Sequence, residues 1–391
     1  SAAEAGLGFI YQPRLALLKL LSMPESASLL IEKSDDLEFN MEGGRKSLSS
    51  LKHKVEGDRL TDLNVDFWKS VRVWLAYYLA HGRITSDVDF LLFTTATLAP
   101  NSTLNLFASA DVDAEARRAL ASSLLESSKS QIVGKVRAEL AVLSEDELRD
   151  FYRRITVLDG SPRIDAIPQL VIDQHLRTIR RDYRVSAFER LEGWWMDLMI
   201  KVLAGDRTSP VYGHEVSDKL SAIAEEYRSD NLPITFRNRV PDGKIDPAND
   251  TRLFVEQLRD LDLSAERIQR AIVDYYRAYE QRSSWARENL LISGEMEEYE
   301  DRLVDEWSRY REIVFEMVHD GSGEEAFRAA GRELYKWAEM ETSDLRIRER
   351  VTEPYVVRGA FQILANARPN PRVFWNPSFM KRLGELLGVA A

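Results

Sequence analysis

The sequence predicts an α/β (α+β) N-terminal domain, with a small sheet flanked by helices, followed by a mostly α-helical C-terminal domain. Two segments of alternating polarity, 31–41 and 46–54, are separated by Gly43-Gly44, which predicts a β-hairpin. Residues 89–97 form a short apolar run that is typical of a buried strand. From residue 188 onward no strand pattern stands out, and apolar residues recur at helical spacing. These three observations set the fold class.

The elements of the first domain follow from their local patterns. Residues 6–22 predict a short lead-in and then a helix, in which Pro13 suits a first helical position because its missing N–H costs nothing there. After the hairpin, residues 60–80 carry apolar side chains at helical spacing. Residues 111–155 have the charge periodicity of helices. The order helix, hairpin, helix, strand, helix predicts a small helix-flanked sheet.

Turn-forming residues mark the domain boundary. Proline, glycine and aspartate cluster at 158–168, in a segment with neither helical nor strand periodicity. We therefore predict a first domain over 1–160, a linker over 161–184, and a helical domain over 185–391.

Composition limits the possible functions. The absence of cysteine excludes disulfides, thiol nucleophiles and cysteine-zinc sites. The sequence contains no long apolar run and no secretory signal pattern, so we expect no membrane span and a cytoplasmic protein. The net charge of −11 argues against a protein that coats nucleic acid. An enzyme acting on DNA with this charge would need a carrier subunit or several copies of itself.

The register of the hairpin decides which polar side chains meet. A three-residue loop at Gly43–Arg45 would place Asp36 opposite Lys52 and Glu38 opposite Ser50. A two-residue loop would shift the pairing by one residue and split the polar set between two faces. We favour the first register.

An acid and a lysine on neighbouring strands suggest metal-dependent phosphodiester cleavage. Asp36, helped by Glu32, would hold Mg²⁺ or Mn²⁺ through hard oxygen ligands. Lys52 would orient the attacking water and offset the charge that develops at phosphorus. The alternative is an exposed hairpin in which Asp36 and Lys52 form a cross-strand ion pair with no chemical role.

A longer resemblance favours the enzymatic reading. The segments that carry it are Gly8-Phe9-Ile10-Tyr11-Gln12, Ile31-Glu32, Asp35-Asp36-Leu37, Leu51-Lys52-His53 and Phe93-Thr94-Thr95-Ala96. Over residues 6–160 the chain resembles the N-terminal nuclease domain of bacterial anti-phage effectors of the PD-(D/E)xK superfamily. That domain occurs on nucleotide-activated endonucleases and on the nuclease subunit of Lamassu systems. The resemblance implies a restriction-endonuclease-like fold.

The resemblance also implies roles for single residues. Asp36 matches the metal-binding aspartate and Lys52 the lysine, while Glu32 and Gln12 match accessory positions near the metal. The family usually has Gln or Glu two residues before the lysine, where this sequence has Ser50.

Ser50 affects the expected ligand set, because a serine hydroxyl is a poorer metal ligand than a carboxylate. The main-chain carbonyl of Leu51 could still ligate. The basic residues beside the lysine, His53 and Lys54, are candidate nucleic-acid contacts. A second candidate set is the basic cluster near the predicted linker, Arg177, Arg180 and Arg181.

The second half of the chain carries its own resemblance. The segments are Arg190-Leu191-Glu192-Gly193-Trp194-Trp195, Leu232-Pro233, Asp274-Tyr275-Tyr276-Arg277-Ala278, Gln281-Arg282-Ser283, Trp285, Tyr355-Val356-Val357-Arg358-Gly359 and Trp375-Asn376-Pro377. They resemble the C-terminal domains of effectors in ABC-three-component and Lamassu-type operons. The resemblance implies docking to a middle subunit and to an SMC-like or ABC ATPase.

Together, the two resemblances imply a Mg²⁺- or Mn²⁺-dependent double-stranded DNA endonuclease in an anti-phage complex. The ATPase partner would hold it inactive until release and self-assembly bring several active sites together. Two alternatives remain open: a catalytically degenerate scaffold subunit, and a DNA endonuclease gated by a small nucleotide.

Overall fold

The computed structural model describes residues 2–109, 113–319 and 321–380, with side chains described from residue 6. The chain divides into two compact units, 1–178 with 184–223 and 179–183 with 224–391. The first unit is mixed α/β and the described part of the second is helical, which confirms the coarse fold class. Among the described helices, none is long and apolar enough to cross a membrane.

The first unit is built on a six-stranded sheet. Its strands are β1 (Ser28–Ile31), β2 (Leu37–Asn40), β3 (Lys46–Lys52), β5 (Val88–Thr94), β7 (Ile155–Leu158) and β8 (Val211–Tyr212), in the order β7-β5-β3-β2-β1-β8. Strand β3 pairs antiparallel with β2 and parallel with β5. A separate two-stranded ladder joins β4 (Arg59–Leu60) and β6 (Thr97–Leu98).

Helices surround this sheet. They are α1 (Ala2–Leu21), α2 (Val65–Ala80), α3 (Ala114–Ser127), α4 (Gln131–Leu140), α5 (Glu145–Arg153), α6 (Ile167–His175), α7 (Arg184–Leu203) and α8 (Gly213–Glu226). Helix α2 packs its apolar stripe on strands β3 and β5, where Phe67 and Trp74 meet Leu48 and Phe90 in one buried core. Pro13 lies within α1 rather than at its start, so the predicted beginning of this helix was wrong.

The hairpin register differs from both predicted registers. Glu38 lies opposite Leu48, and Asn40 lies opposite Lys46. The reason is the loop: Gly43 and Gly44 both have φ near +90°, and the pairing resumes at Arg45, which accepts a hydrogen bond from the Met41 N–H. The loop therefore begins and ends one residue earlier than predicted.

The resulting shift is two residues, which preserves the face of every side chain because strand side chains alternate with period two. Asp36 and Lys52 therefore stay on one face, although they are not directly opposite. The face of the sheet that carries Asp36 is covered farther along β2, where Glu38 is only 2% exposed. Its carboxylate accepts hydrogen bonds from Lys46 (3.0 Å) and Ser34 (2.8 Å).

The boundary between the compact units lies later than the linker predicted over 161–184. Residues 184–223 belong to the first unit because β8 pairs with β1 at the sheet edge. Helix α7 also contacts α1: the Trp195 indole donates to the Pro13 carbonyl (2.7 Å), and Arg14 pairs with Glu192 (2.5 Å). The strands β7 and β8 were both missed, since four and two residues carry too little pattern.

In its described part, the second unit is formed by helices and loops. The helices are α9 (Leu253–Asp260), α10 (Ala265–Arg287), α11 (Glu295–Phe315), α12 (Glu324–Met340) and α13 (Pro354–Ala365). Among the described helices of this unit, α10 and α13 share the most extensive contact, and there Gly359 lies directly against the Asp274 carbonyl. The buried Gln281 side chain holds a loop in place, because its Oε1 accepts hydrogen bonds from the main-chain N–H groups of Thr235 and Phe236. The tryptophans of this unit, Trp285, Trp307, Trp337 and Trp375, are buried in its core.

Candidate functional site

The candidate site lies where β2 begins and β3 ends. Asp36 is the last residue of the β1–β2 loop, immediately before β2. One oxygen of its carboxylate accepts the main-chain N–H of Leu51 at 2.6 Å, just beyond the last β2–β3 pair. The other accepts the side-chain amide of Gln12, which reaches the site from α1, at 3.2 Å. Strand β3 and helix α1 therefore fix the direction of this carboxylate.

Lys52 is the last residue of β3 and shares the face of Asp36. Its Nζ lies 3.7 Å from Asp36 Oδ2, and both side chains remain between a fifth and about a quarter exposed. The same amine donates to Ser50 Oγ at 3.0 Å. Ser50 is buried and also accepts from Ser70 of α2 at 2.8 Å. The carboxylate and the amine therefore converge at one partly exposed end of the sheet.

Glu32 does not join this group. It follows β1 and has φ of 53°, a left-handed conformation in the β1–β2 loop, so its predicted place on a hairpin arm was wrong. Its main-chain N–H donates to the Asp36 carbonyl at 3.1 Å, while its side chain is exposed. Within the described residues, no hydrogen bond or ion pair is formed by the Glu32 carboxylate.

Asp35 is the acidic residue that sequence reasoning missed. Its Oδ2 accepts the indole N–H of Trp74 at 2.6 Å, and its Oδ1 accepts the main-chain N–H of Asp36 at 2.9 Å. Burial raises the pKa of Asp35 to about 6, an effect that the Trp74 hydrogen bond opposes and the Asp36 charge reinforces. The signal in the sequence was the acidic pair Asp35-Asp36, of which only the second residue received a role.

One face of α2 also escaped prediction. Asp66, Ser70 and Trp74 are spaced by four residues, so they lie above one another along the helix. Each contacts a different residue of the site region: Asp66 pairs with Lys54, Ser70 with Ser50, and Trp74 with Asp35. The four-residue spacing was visible in the sequence, but its polar members were hidden within an apolar helix pattern.

The predicted nucleic-acid contacts have the following surroundings. His53 packs on the Tyr11 ring (5.0 Å between centroids), and burial together with the Arg163 charge lowers its pKa. The Lys54 amine is engaged by Asp66. In the first unit Arg177 donates to the Asp173 carbonyl. In the second unit Arg180 covers the ring of Tyr183, and Arg181 begins a 3₁₀ turn. DNA contact by these residues stays a prediction.

The donor set can be tested against the expected divalent ion. In the described part of the chain, no group of three or more His, Cys, Asp or Glu side chains could hold a metal. Mg²⁺, however, keeps several waters and commonly binds through one or two carboxylates and substrate phosphates. The Asp36 carboxylate and the Gln12 amide oxygen, with a main-chain carbonyl at Leu51, are hard oxygen donors. The residues present therefore fit a hydrated, weakly held ion rather than a closed cage.

Comparisons with known proteins bear on the second unit. Residues 254–383, about a third of the chain, match the family model described as C-terminal domain 7 of the ABC-three component (ABC-3C) systems. No curated protein matches the chain. The match confirms, for residues 254–383, the predicted resemblance to the C-terminal domains of ABC-three-component systems.

Two solved structures show a loose similarity. One is a Cap4 SAVED/CARF-domain containing receptor of Moraxella osloensis, with 15% identity, a TM-score of 0.34, and coverage of 65% of this chain and 60% of that one. The other is the Acinetobacter baumannii Cap4 receptor with the cyclic trinucleotide 2'3'3'-cAAA, with 16% identity, a TM-score of 0.35, and coverage of 65% and 58%. This chain spans about three fifths of each receptor, and TM-scores this low do not identify a shared fold.

Proposed function

We propose that this chain is the metal-dependent double-stranded DNA endonuclease effector of a Lamassu-like ABC-three-component anti-phage system. The observation that carries the proposal is the convergence of the Asp36 carboxylate and the Lys52 amine, 3.7 Å apart at the end of neighbouring strands. The mixed sheet around them supports a restriction-endonuclease-like domain of the PD-(D/E)xK type. The ABC-3C match of residues 254–383 supports the place of the chain in a defence complex.

The oxygen donors of the site would bind the metal ion, and the lysine would act on the substrate phosphate. Asp36, with the Gln12 amide and the Leu51 carbonyl, would hold Mg²⁺ or Mn²⁺. A bound ion of this kind polarises a phosphate and lowers the pKa of water. The Lys52 amine would offset the negative charge that develops at the scissile phosphate, and Ser50 holds that amine in direction through its 3.0 Å hydrogen bond.

The helical unit would supply regulation. We place an SMC-like or ABC ATPase and a middle subunit on it, which hold the nuclease inactive until they release it. Self-assembly would then multiply the phosphate contacts made by one particle. The net charge of −11 supports this step, because a single acidic copy neutralises few phosphates and grips DNA weakly.

The decisive experiment compares two lysines of the same strand. Lys52 and Lys46 both lie on β3, and each is within 4 Å of a carboxylate, Asp36 at 3.7 Å and Glu38 at 3.0 Å. Lys→Gln keeps a neutral donor at either position but removes the charge. In a plasmid-cleavage assay with Mg²⁺ and the activated complex, we expect Lys52→Gln to cut on the order of a hundredfold more slowly. Lys46→Gln should cut at the wild-type rate.

The outcome that contradicts the proposal is equally specific. If Lys52→Gln cleaves as fast as the wild-type chain, the pair is a cross-strand ion pair without a chemical role. Full cleavage by the isolated chain, without its partners or any activating DNA, would instead contradict the restraint by the ATPase while leaving the site intact.

A second candidate function is a catalytically degenerate scaffold. The observation that favours it is the position of Ser50, where a hydroxyl stands in place of a longer ligand and is already engaged by Ser70 and Lys52. Ser50→Gln combined with Ser70→Gly would restore the side chain and the room for it. If the double variant cleaves DNA and the wild-type complex does not, the hypothesis of a catalytically degenerate scaffold is correct. Cleavage by the wild-type complex excludes it.

A further inference from the structure

We propose that Trp74 and Asp35 are positioning residues that hold Asp36 in its working orientation. This inference rests on the proposed nuclease function and adds two residues to its machinery. The indole N–H of Trp74 donates to Asp35 Oδ2 at 2.6 Å, and the N–H of Asp36 donates to Asp35 Oδ1 at 2.9 Å. One carboxylate therefore ties helix α2 to the main chain of the residue proposed to hold the ion.

The anchor of this connection is rigid. Trp74 is fully buried and its indole stacks on Phe90 of β5, with 5.7 Å between ring centroids and 17° between planes. Core packing fixes the ring, and the ring fixes the direction of its only polar group. A buried indole N–H needs an acceptor, and within this core Asp35 provides it. The position of Asp35 is thus set by the helix core and not by the loop alone.

The loop needs such an anchor. It connects β1 to β2 and includes Glu32 in a left-handed conformation that a non-glycine residue adopts only at a cost. Asp36 closes the loop, since its carbonyl accepts the Glu32 N–H at 3.1 Å and its carboxylate accepts the Leu51 N–H at 2.6 Å. The Asp35 carboxylate supplies the remaining main-chain constraint, on the Asp36 N–H.

The contacts of Asp35 favour a positioning role over a direct role in catalysis. Each of its oxygens already accepts a short hydrogen bond, one from the core and one from the main chain. Its two partners are the buried Trp74 indole and the Asp36 main chain, whereas the Asp36 carboxylate lies 3.7 Å from the Lys52 amine, so we assign Asp35 the role of positioning Asp36. The neighbouring contact on the same helix face is of the same kind, since Ser70 reaches Ser50, which in turn accepts from the Lys52 amine. Helix α2 therefore positions both members of the Asp36–Lys52 pair, one through Asp35 and the other through Ser50.

The helix offers a matched control for the test. Trp68 is also on α2, is also fully buried, and donates its indole N–H at 3.0 Å to the Asp62 carbonyl. Trp74→Phe and Trp68→Phe each remove one indole N–H from the same core, but only the first releases Asp35. Both variants should be made in the 391-residue chain. Their folding is checked by thermal denaturation before any comparison.

Two readouts separate positioning from general packing. The first is the affinity for Mn²⁺, measured by calorimetric titration without DNA; we expect Trp74→Phe to weaken it about tenfold and Trp68→Phe to leave it unchanged. The second is cleavage by the activated complex, in which Trp74→Phe should lower kcat about tenfold or more with little change in KM. Asp35→Asn, with one acceptor oxygen for two donors, should reproduce the loss and serves if Trp74→Phe does not fold.

The possible results are distinguishable. A folded Trp74→Phe that binds Mn²⁺ and cleaves like the wild-type chain overturns the positioning role and leaves the proposed function untouched. Equal losses in both tryptophan variants also overturn it, because the effect is then one of core packing. A wild-type chain that neither binds Mn²⁺ nor cleaves in the activated complex overturns the proposed function itself.

Discussion

The crossing of α10 and α13 leads to a sharp prediction about Gly359. A Cβ built at this position would approach the Asp274 carbonyl oxygen and the Ala278 Cβ much closer than 3.0 Å. The nearest atom is main chain of the facing helix, so no side chain can rotate away to make room. Gly359→Ala must therefore push α13 away from α10, the most extensive helix pair of the second unit.

The size of the effect follows from two opposing contributions. Forcing an extra methyl into a packed interface costs roughly 1–3 kcal/mol, and rigid main-chain contacts belong at the upper end. Alanine in place of glycine within a helix returns about 0.5–1 kcal/mol. The net destabilisation of the second unit is therefore about 2 kcal/mol. For a unit of this size it would lower the unfolding temperature by roughly 4–8 °C.

A control with the opposite expected sign is available. Gly193 lies on an exposed face of α7 in the first unit, and nothing lies within 4 Å of a Cβ built there. Gly193→Ala should therefore stabilise the chain by about 0.5–1 kcal/mol through helix propensity alone. Scanning calorimetry gives the unfolding temperatures. Hydrogen exchange of peptides from α10 and α13 locates the change.

The predicted clash between α10 and α13 is refuted if Gly359→Ala leaves exchange protection in both helices at the wild-type level. A shift of the unfolding temperature in the same direction by both glycine variants would also refute the clash. Binding to the proposed ATPase partner should fall with Gly359→Ala, because the segment that matches the ABC-3C domain includes both helices.

Three further predictions concern charge. Burial alone would raise the pKa of Glu38, but its hydrogen bonds outweigh burial and lower that pKa from the usual value of 4.5. The ionised Glu38 therefore stabilises the fold above pH 4.5, and this stabilisation is lost as the pH falls below that value. In Glu38→Gln the free energy of unfolding, measured by urea denaturation, should fall less between about pH 6 and pH 3 than it does in the wild-type chain. Arg348 is nearly buried and holds Glu295 with two hydrogen bonds of 2.7 and 2.8 Å, so Arg348→Met should cost about 3–5 kcal/mol in thermal denaturation, with partial recovery when Glu295→Gln is added. Mn²⁺ at about a hundred times its dissociation constant should stabilise the wild-type chain by about 2.7 kcal/mol, and Asp36→Asn should abolish this gain in differential scanning fluorimetry.

Much of the fold could be predicted because long elements repeat their pattern several times. Helix α2 and strand β5 carry enough apolar residues to reveal their periods. Strand β8 has two residues and gains its place only by pairing with β1, so it left no readable pattern. The boundary was misplaced for the same reason, since contacts between α1 and α7 join residues that are far apart in the chain.

The candidate site was predictable to the extent that strand alternation governs it. Asp36 and Lys52 meet despite a wrong loop, because a shift of two residues keeps side chains on their face. Glu32 was misplaced because its left-handed backbone cannot be read from residue type. The Asp35–Trp74 contact spans 39 positions and depends on tertiary packing, which local patterns do not encode.

The pairing of β8 with β1 has a practical consequence for dissecting the molecule. A fragment that stops at residue 160 or 184 would strip β1 of its neighbour and leave unpaired N–H and C=O groups along an open edge. It would also expose the side of α1 that packs on α6 and α7, since the fragment ending at 160 lacks both of these helices and the one ending at 184 lacks α7. Such a fragment should aggregate, whereas one extended to residue 223 should stay dispersed and suit studies of the α/β half in isolation.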